Sequence, residues 1–375
     1  MTFLRPRVIA EVDTSAIRHN YQQIRQFIRD DVEIMGIVKA DGYGHGAAVV
    51  ANILQEEGVS RFGVAIAREG EELRLSGIKC PILVLGNTPP RDLEVLIINN
   101  LTQTVFSYEM AKEISKCAAK FDKLINVHIK VDTGMGRLGF LTNTTSIEQI
   151  KKIMLLPNLN VEGIYTHFAT SDEEDTSYTK EQWSIFKGFL NELKQVGIEI
   201  PIAHAANSGA IIAHEYTHLN VVRPGIILYG YYPSSYLEGK QISLIPSMTL
   251  KTQVVHVKEV PANQYISYGR KYQTTSKTKI ATIPIGYADG YSRRLSNIGK
   301  VLIKGQFANI VGTICMDQFM VDVTHIGDVT VGEEVVLIGK QGDNIILVEE
   351  LANIIDTINY ELICMIGKRV PRRYI

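Results

Sequence analysis

The sequence predicts an α/β protein, a barrel of alternating strands and helices followed by a mainly β domain, on three observations. Eight short apolar runs alternate with amphipathic stretches at a spacing of roughly 20 to 35 residues, the length of one strand–helix unit. That rhythm stops after Tyr229, and the rest of the chain is rich in β-branched residues and turns. Glycine-broken segments carrying titratable side chains fall at the ends of the apolar runs.

Taken in order, Val8 to Val12 alternates apolar and polar residues like a strand, and Asp13 or Thr14 can cap a helix bearing Ile17, Tyr21, Ile24 and Ile28. Strands are then predicted at 34–38, 62–67, 81–86, 102–106, 126–131, 161–167, 201–206 and 220–226. Helices are predicted between them at 47–57, 69–75, 91–98, 108–119, 147–155 and 180–196, with a shorter link at 208–214. Such a series over about 230 residues is the pattern of a TIM-like (β/α)8 barrel. A doubly wound open sheet rarely needs eight units of this regularity. Tyr231-Tyr232-Pro233-Ser234-Ser235 reads as a linker. Strands are predicted beyond it at 249–260, 279–285, 300–303, 309–314, 320–323 and 334–338, with one helix at 348–358. The predicted domains are 1–240, the barrel, and 241–375, mainly β, with the first strand (8–12) available to pair with the second domain.

The chain has 375 residues, more than one typical domain. Its 45% hydrophobic and 21% charged content suits a globular protein with a sizeable core, and a net charge of −1 without basic blocks gives no sign of nucleic acid or an anionic membrane as partner. The opening residues, Met1 to Arg7, hold no apolar stretch long enough for a signal peptide, and no later run reaches the roughly 18 residues of a membrane span. Cys80, Cys117, Cys315 and Cys364 are scattered, so neither disulfides nor a metal site is expected, and a cytoplasmic location is.

In a (β/α)8 barrel, reactive side chains gather at the carboxyl ends of the strands. The first barrel run delivers Lys39 and then breaks into Gly42-Tyr43-Gly44-His45-Gly46. Desolvation beside a packed core lowers a lysine's pKa and makes its amine a nucleophile. The plainer alternative is a lysine reaching solvent past a glycine turn. Lys130 and Arg137 belong to the fifth run and the loop after it, and His167 ends the sixth. Asn207-Ser208-Gly209 ends the seventh, and Arg223-Pro224-Gly225-Ile226 the eighth. Singly, Arg137 fits a surface charge, His167 a core histidine and Ser208 a helix cap. Gathered at one barrel end they fit a site. A serine hydroxyl and glycine N–H groups at a helix start seat a phosphate, and barrel enzymes often place that seat after strands seven and eight. A phosphate seat opposite a nucleophilic lysine is what pyridoxal phosphate needs. The second domain adds Tyr268, Tyr287, the segment Gly312-Thr313-Ile314-Cys315-Met316-Asp317-Gln318, and Tyr360; for these, turn packing and phenol acid–base chemistry are both open.

Five segments, in this order, make the chain resemble the bacterial alanine racemases. They are Val38-Lys39-Ala40-Asp41-Gly42-Tyr43-Gly44-His45-Gly46, Lys130-Val131-Asp132-Thr133-Gly134-Met135-Gly136-Arg137, Val222-Arg223-Pro224-Gly225, Pro284-Ile285-Gly286-Tyr287-Ala288-Asp289-Gly290 and Cys315-Met316-Asp317-Gln318. The similarity runs from Val8 to Tyr374. It implies pyridoxal 5′-phosphate on Lys39 and a head-to-tail homodimer in which each site borrows the partner subunit's Tyr268 and the partner subunit's Met316. It also implies a supply of D-alanine for peptidoglycan. By the same resemblance Tyr43, Ser208, Gly225, Ile226 and Tyr360 hold the phosphate. Arg223 faces the pyridine nitrogen, and His167 contacts Arg223 and orients Tyr268. Arg137 meets the cofactor's phenolic oxygen and the substrate carboxylate. Asp172, Tyr287 and Arg293 line the access corridor. In similar enzymes Lys130 is often carbamylated and then holds Arg137. Thr313 stands where relatives commonly carry an arginine, which alters the corridor's polarity.

Racemisation removes the α-proton on one face and returns one on the other, so it needs two acid–base groups, Lys39 and Tyr268. An arginine at the pyridine nitrogen keeps its own proton, which weakens the electron sink and suppresses side reactions such as transamination. Three competing readings remain at this level. A racemase of serine or broader range is one, against which the bulk of Tyr360 counts. A non-catalytic pyridoxal phosphate carrier is a second, and the extra domain counts against it. A decarboxylase using Cys315 as proton donor is the third, and Arg223 counts against that.

Overall fold

A computed structural model describes residues 6–375. The expectation about a signal peptide rests partly on residues 1–5, which lie outside the described residues. The described chain forms two compact units. One comprises Ser15–Gly42 and Gly46–Pro246; the other gathers the chain up to Thr14, the short segment Tyr43–His45, and Ser247–Ile375.

In the first unit eight parallel strands close into a barrel among the described residues: β2 (Glu33–Ile37), β3 (Arg61–Val64), β4 (Ile82–Val84), β5 (Thr102–Val105), β6 (Ile125–Lys130), β7 (Leu159–Tyr165), β8 (Ile202–His204) and β9 (Val221–Val222), while β1 (Val8–Val12) lies in the other unit. They pair in sequence order, and β9 returns to β2 through Val222 opposite Ile34. Each strand is covered on both faces, so most read as apolar runs rather than alternations, although β5 is Thr-Gln-Thr-Val and β6 carries Asn126, His128 and Lys130. Helices fill the links. Their starts are set by side chains that accept otherwise orphaned N–H groups: Ser107 from Met110 at 3.2 Å before Tyr108–Lys120, and Asn143 from Ser146 at 2.9 Å before Thr144–Met154. The predicted barrel, with all eight strands, is present; strand ends fall one to four residues inside the predicted limits at the carboxyl side.

In the second unit β1 pairs antiparallel with Met248–Gln253 and parallel with Arg372–Tyr374. It thereby joins a ten-stranded sheet, counted among the described residues. Two expectations are corrected here. The run 249–260 is two strands, Met248–Gln253 and His256–Val260, because Val254 leaves the ladder and its N–H bonds to Glu333 O at 2.9 Å. The helix expected at 348–358 stops at Ile354, since Asp356 turns to φ 61°, and a second helix, Asn359–Met365, carries Tyr360. The hairpin Tyr265–Ile266 with Tyr272–Gln273, absent from the sequence-based expectation, presents Tyr268 at its tip. Asp289 is fully buried, 2.6 Å from the Arg7 guanidinium, and its Oδ2 accepts the Gly286 N–H at 3.0 Å, which fixes the turn bearing Tyr287.

Candidate active site

Strand β2 ends at Ile37, two residues before Lys39, and the chain then enters a left-handed turn, with φ of 53° at Ala40, 53° at Asp41, 61° at Gly42 and 52° at Tyr43. Each L-residue in that conformation costs about 1–2 kcal/mol. Fixed partners hold it. Glu69 Oε1 accepts the Ala40 N–H at 2.7 Å, Asp41 Oδ1 accepts the Ala47 N–H at 2.9 Å, and the Gly42 N–H reaches Val38 O at 2.9 Å. The Tyr229 hydroxyl donates to Ile37 O at 3.0 Å. At Gly42, φ 61°, a Cβ would meet the Ala47 backbone at 3.3 Å, a tight contact that glycine avoids. Strain concentrated next to one lysine is the behaviour of a functional turn.

Across the barrel mouth, Arg223 follows β9 and is buried. Its Nη1 donates to His204 Nδ1 at 2.8 Å, and its Nη2 donates to Thr166 O and Ala205 O at 2.9 Å and lies 3.3 Å from His167 Nδ1. Burial pushes the guanidinium down to about 10, so it remains a cation at neutral pH. The ring of His167 is held well below the ordinary histidine value, first by burial and then by the charges of Arg223, Arg137, Lys130 and Lys39. It is therefore neutral, with four cations near enough to act on it.

The loops after β8 and β9 meet through Ser208, whose Oγ accepts the Gly225 N–H at 2.9 Å. Asn207 caps the helix Ser208–Ala213 by accepting the Ala210 N–H at 3.0 Å, and Gly225 begins the short helical turn Ile226–Tyr229. Lys130, at the end of β6, is buried with Nζ 2.6 Å from Val131 O and 5.4 Å from the Tyr165 ring centre. Burial, then Arg223, pushes its ammonium down to about 7. Arg137 is exposed, on the loop organised by Asp132 Oδ1, which accepts the N–H groups of Gly134 and Gly136 at 3.0 and 3.1 Å. Asp172 lies in this unit too, half-buried, and burial raises its carboxyl.

The remaining predicted residues belong to the other unit. There the Tyr43 and Tyr360 rings lie 6.1 Å apart, and burial pushes the Tyr43 hydroxyl up. Tyr268 is 72% and Met316 52% exposed, large side chains offered outward on a single chain. The Thr313 hydroxyl donates to Tyr268 O at 2.9 Å and is itself buried, so this residue supports the hairpin tip. Tyr287 and Arg293 are exposed.

Sequence reading missed Glu69, which anchors the lysine turn, and a set inside the barrel: the buried Tyr165, His204 and His128, and the partly buried Glu162. The only signal was polar residues standing inside otherwise apolar runs.

Comparison with known proteins gives these features a family. Residues 12–233 match "Alanine racemase, N-terminal domain" and residues 247–374 match "Alanine racemase, C-terminal domain". The chain belongs to the alanine racemase family. It is an isomerase of that kind by close likeness to curated relatives. An alanine racemase of Methanococcus maripaludis is 52% identical over 98% of each chain, and one of Clostridium perfringens is 51% identical over 99% of this chain and 96% of its own. Among solved structures, an alanine racemase of Clostridium difficile 630 superposes with a TM-score of 0.96 at 43% identity, over 99% of this chain and 96% of its own. A histidine racemase of Leuconostoc mesenteroides superposes with a TM-score of 0.91 at 31% identity, over 99% and 98%.

Proposed function

We propose that this racemase interconverts L- and D-alanine with pyridoxal 5′-phosphate held through Lys39, as a cytoplasmic homodimer that supplies D-alanine for peptidoglycan. The observation that carries the reading is Arg223, a buried cation facing neutral histidines at the carboxyl end of the barrel, in the same unit as the strained lysine turn.

The residues present fit the cofactor. The Ser208 hydroxyl and the start of the turn at Ile226 offer donors for a phosphate, with Gly225 leaving room for its approach. Tyr43 and Tyr360 would complete that seat. Arg223 has five N–H groups, and its bonds to His204 Nδ1, Thr166 O and Ala205 O take three of them, so it has capacity for a ring nitrogen. Bound there, pyridoxal 5′-phosphate supplies an electron sink that acidifies the α-proton of an amino acid. Lys39 would hold or move that proton on one face. The partner subunit's Tyr268 would serve the other, a role supported by its exposure on the single chain. His167, neutral and against Arg223, would orient that phenol. Arg137 would bind the substrate carboxylate, with the partner subunit's Met316 beside it. Carbamylation would turn Lys130 into an anion able to hold Arg137; an amine near neutrality at pH 7 is reactive enough for it. Asp172, Tyr287 and Arg293 would line the corridor for the substrate.

A second reading, a racemase of serine or broader range, is favoured by the histidine racemase among the structural neighbours. The decarboxylase reading is disfavoured by Arg223, which cannot protonate the ring nitrogen as a carboxylic acid there would. The test is a chiral assay of the protein with added pyridoxal 5′-phosphate on L- and D-alanine, L-serine and L-histidine. Equal approach to the racemate from both alanine enantiomers supports the proposal. Release of carbon dioxide, or turnover of serine or histidine in preference to alanine, rejects it.

A further inference from the structure

The barrel interior holds a continuous line of polar contacts from the Arg223 guanidinium to the amino-terminal rim. Arg223 Nη1 is 2.8 Å from His204 Nδ1, His204 Nε2 is 2.8 Å from His128 Nδ1, and His128 Nε2 is 3.1 Å from Glu162 Oε1. The same carboxylate oxygen is 3.3 Å from Arg61 Nη1, and Arg61 Nε is 2.9 Å from Glu33 Oε2. Barrel interiors are ordinarily packed with branched aliphatic residues, so a polar chain buried at Arg223, His204 and His128 needs a reason.

The two ends of the line decide what lies between. A guanidinium donates and never accepts, so the contact with Arg223 is kept only while His204 Nδ1 carries no hydrogen and its Nε2 does. His204 therefore donates to His128 Nδ1, and His128 in turn donates from Nε2. Glu162 can take that hydrogen because it is ionised: burial raises its pKa, but the hydrogen bond from His128 and the charge of Arg61 outweigh that and hold it low. Three hydrogens fill three contacts in one direction, and a further proton on either ring would set two hydrogens against each other. Both rings are in fact held below the ordinary histidine value, by burial first.

The backbone is shaped around this line. Opposite His128 in the ladder stands Gly163, beside a register shift between Val127 and His128, and a Cβ on Gly163 would lie 2.4 Å from the His128 ring. Tyr165 stacks on His204 with ring centres 4.6 Å apart and planes at 6°, and its hydroxyl is 3.0 Å from Thr104 Oγ1. Neither ring can turn over freely.

We propose that Glu162 is a positioning residue for the racemase: as terminal acceptor it fixes the direction of the N–H chain through His128 and His204, and so keeps His204 Nδ1 bare to hold Arg223. Its importance for catalysis rests on the proposed role of Arg223, but the hydrogen arrangement does not. Arg223 acts at the site; Glu162 acts only through the two rings.

The test uses histidine-15N-labelled full-length protein as purified, with resonances assigned by single histidine substitutions, and the variants Glu162→Gln and Glu162→Leu. In the unsubstituted protein both rings are expected as the Nε2–H tautomer with unprotonated Nδ1. An Nδ1–H signal from His204 overturns the proposal whatever the activity, whereas the expected tautomers with no racemisation would overturn the functional reading alone. Glu162→Leu is expected to mix the tautomers and lower kcat about tenfold or more with KM little changed. Glu162→Gln, whose amide oxygen still accepts, is expected to restore the tautomers and most of the rate. A Leu variant with unmixed tautomers and full kcat, or a Gln variant as impaired as Leu, overturns the assignment to Glu162.

Discussion

The backbone N–H of Gly225 donates to Ser208 Oγ at 2.9 Å, tying together the two loops that follow the last two barrel strands. Because both groups are buried, removing the hydroxyl leaves the N–H without its acceptor. Ser208→Ala is expected to weaken binding of pyridoxal 5′-phosphate about fivefold, since one lost hydrogen bond of this kind is worth about 1 kcal/mol. A fluorescence titration of the cofactor-free protein measures it; unchanged affinity would remove Ser208 from the phosphate seat.

Lys130 gives a prediction whose sign comes from its pKa of about 7 in the fold against an ordinary value of 10.5. Between those values the unfolded chain binds a proton that the folded one does not, so stability rises with pH across that window. Below it both states are charged, and the fold bears the whole cost of burying the ammonium. In carbonate-free buffer, Lys130→Met should therefore be stabilised most at about pH 6, with the difference shrinking towards about pH 10. In the unsubstituted protein, 13C-labelled bicarbonate should give a carbamate resonance that Lys130→Met lacks. A stability difference that grows with pH would contradict the burial argument.

Five histidines, His128, His167, His204, His214 and His218, are held below the ordinary value, in each case chiefly by burial. Their folded pKa values lie under the unfolded value near 6.5, so unfolding takes up protons as the pH drops below that point. Each adds a loss of about 1.4 kcal/mol per pH unit until its folded pKa is reached. Urea unfolding at about pH 7, 6 and 5 should show a steep fall below 6.5. A flat profile over that range would mean that these rings are charged in the fold.

The barrel was legible because strands buried on both faces must read as apolar runs, and the site was legible because strand ends are where lysine, arginine and histidine can leave the core. The lysine turn was legible only in part. Gly42 announced a break, but nothing near it in sequence announced Glu69, whose carboxylate reaches Ala40 from 29 residues away. His128, His204 and Glu162 were hidden for the same reason, since their partners exist only once β6, β7 and β8 lie side by side. Thr313 stands where relatives commonly carry a corridor arginine, and nothing in the sequence announces that its hydroxyl donates to the carbonyl of Tyr268.

Tyr268, exposed at its hairpin tip, should serve one enantiomer only. Tyr268→Phe is expected to slow loss of the α-proton to solvent deuterium from one alanine enantiomer by about 100-fold or more, with far less effect on the other. Mass spectrometry of each enantiomer after brief incubation measures it. Equal loss from both would reject a one-sided role.

Lys39 carries the most direct test of all. The protein purified with pyridoxal 5′-phosphate should show an absorbance band of the bound imine, reducible by borohydride to a stable adduct on the peptide bearing Lys39. In Lys39→Ala both band and adduct should be gone, together with alanine racemisation. A band of unchanged position and a labelled peptide elsewhere in that variant would contradict the account.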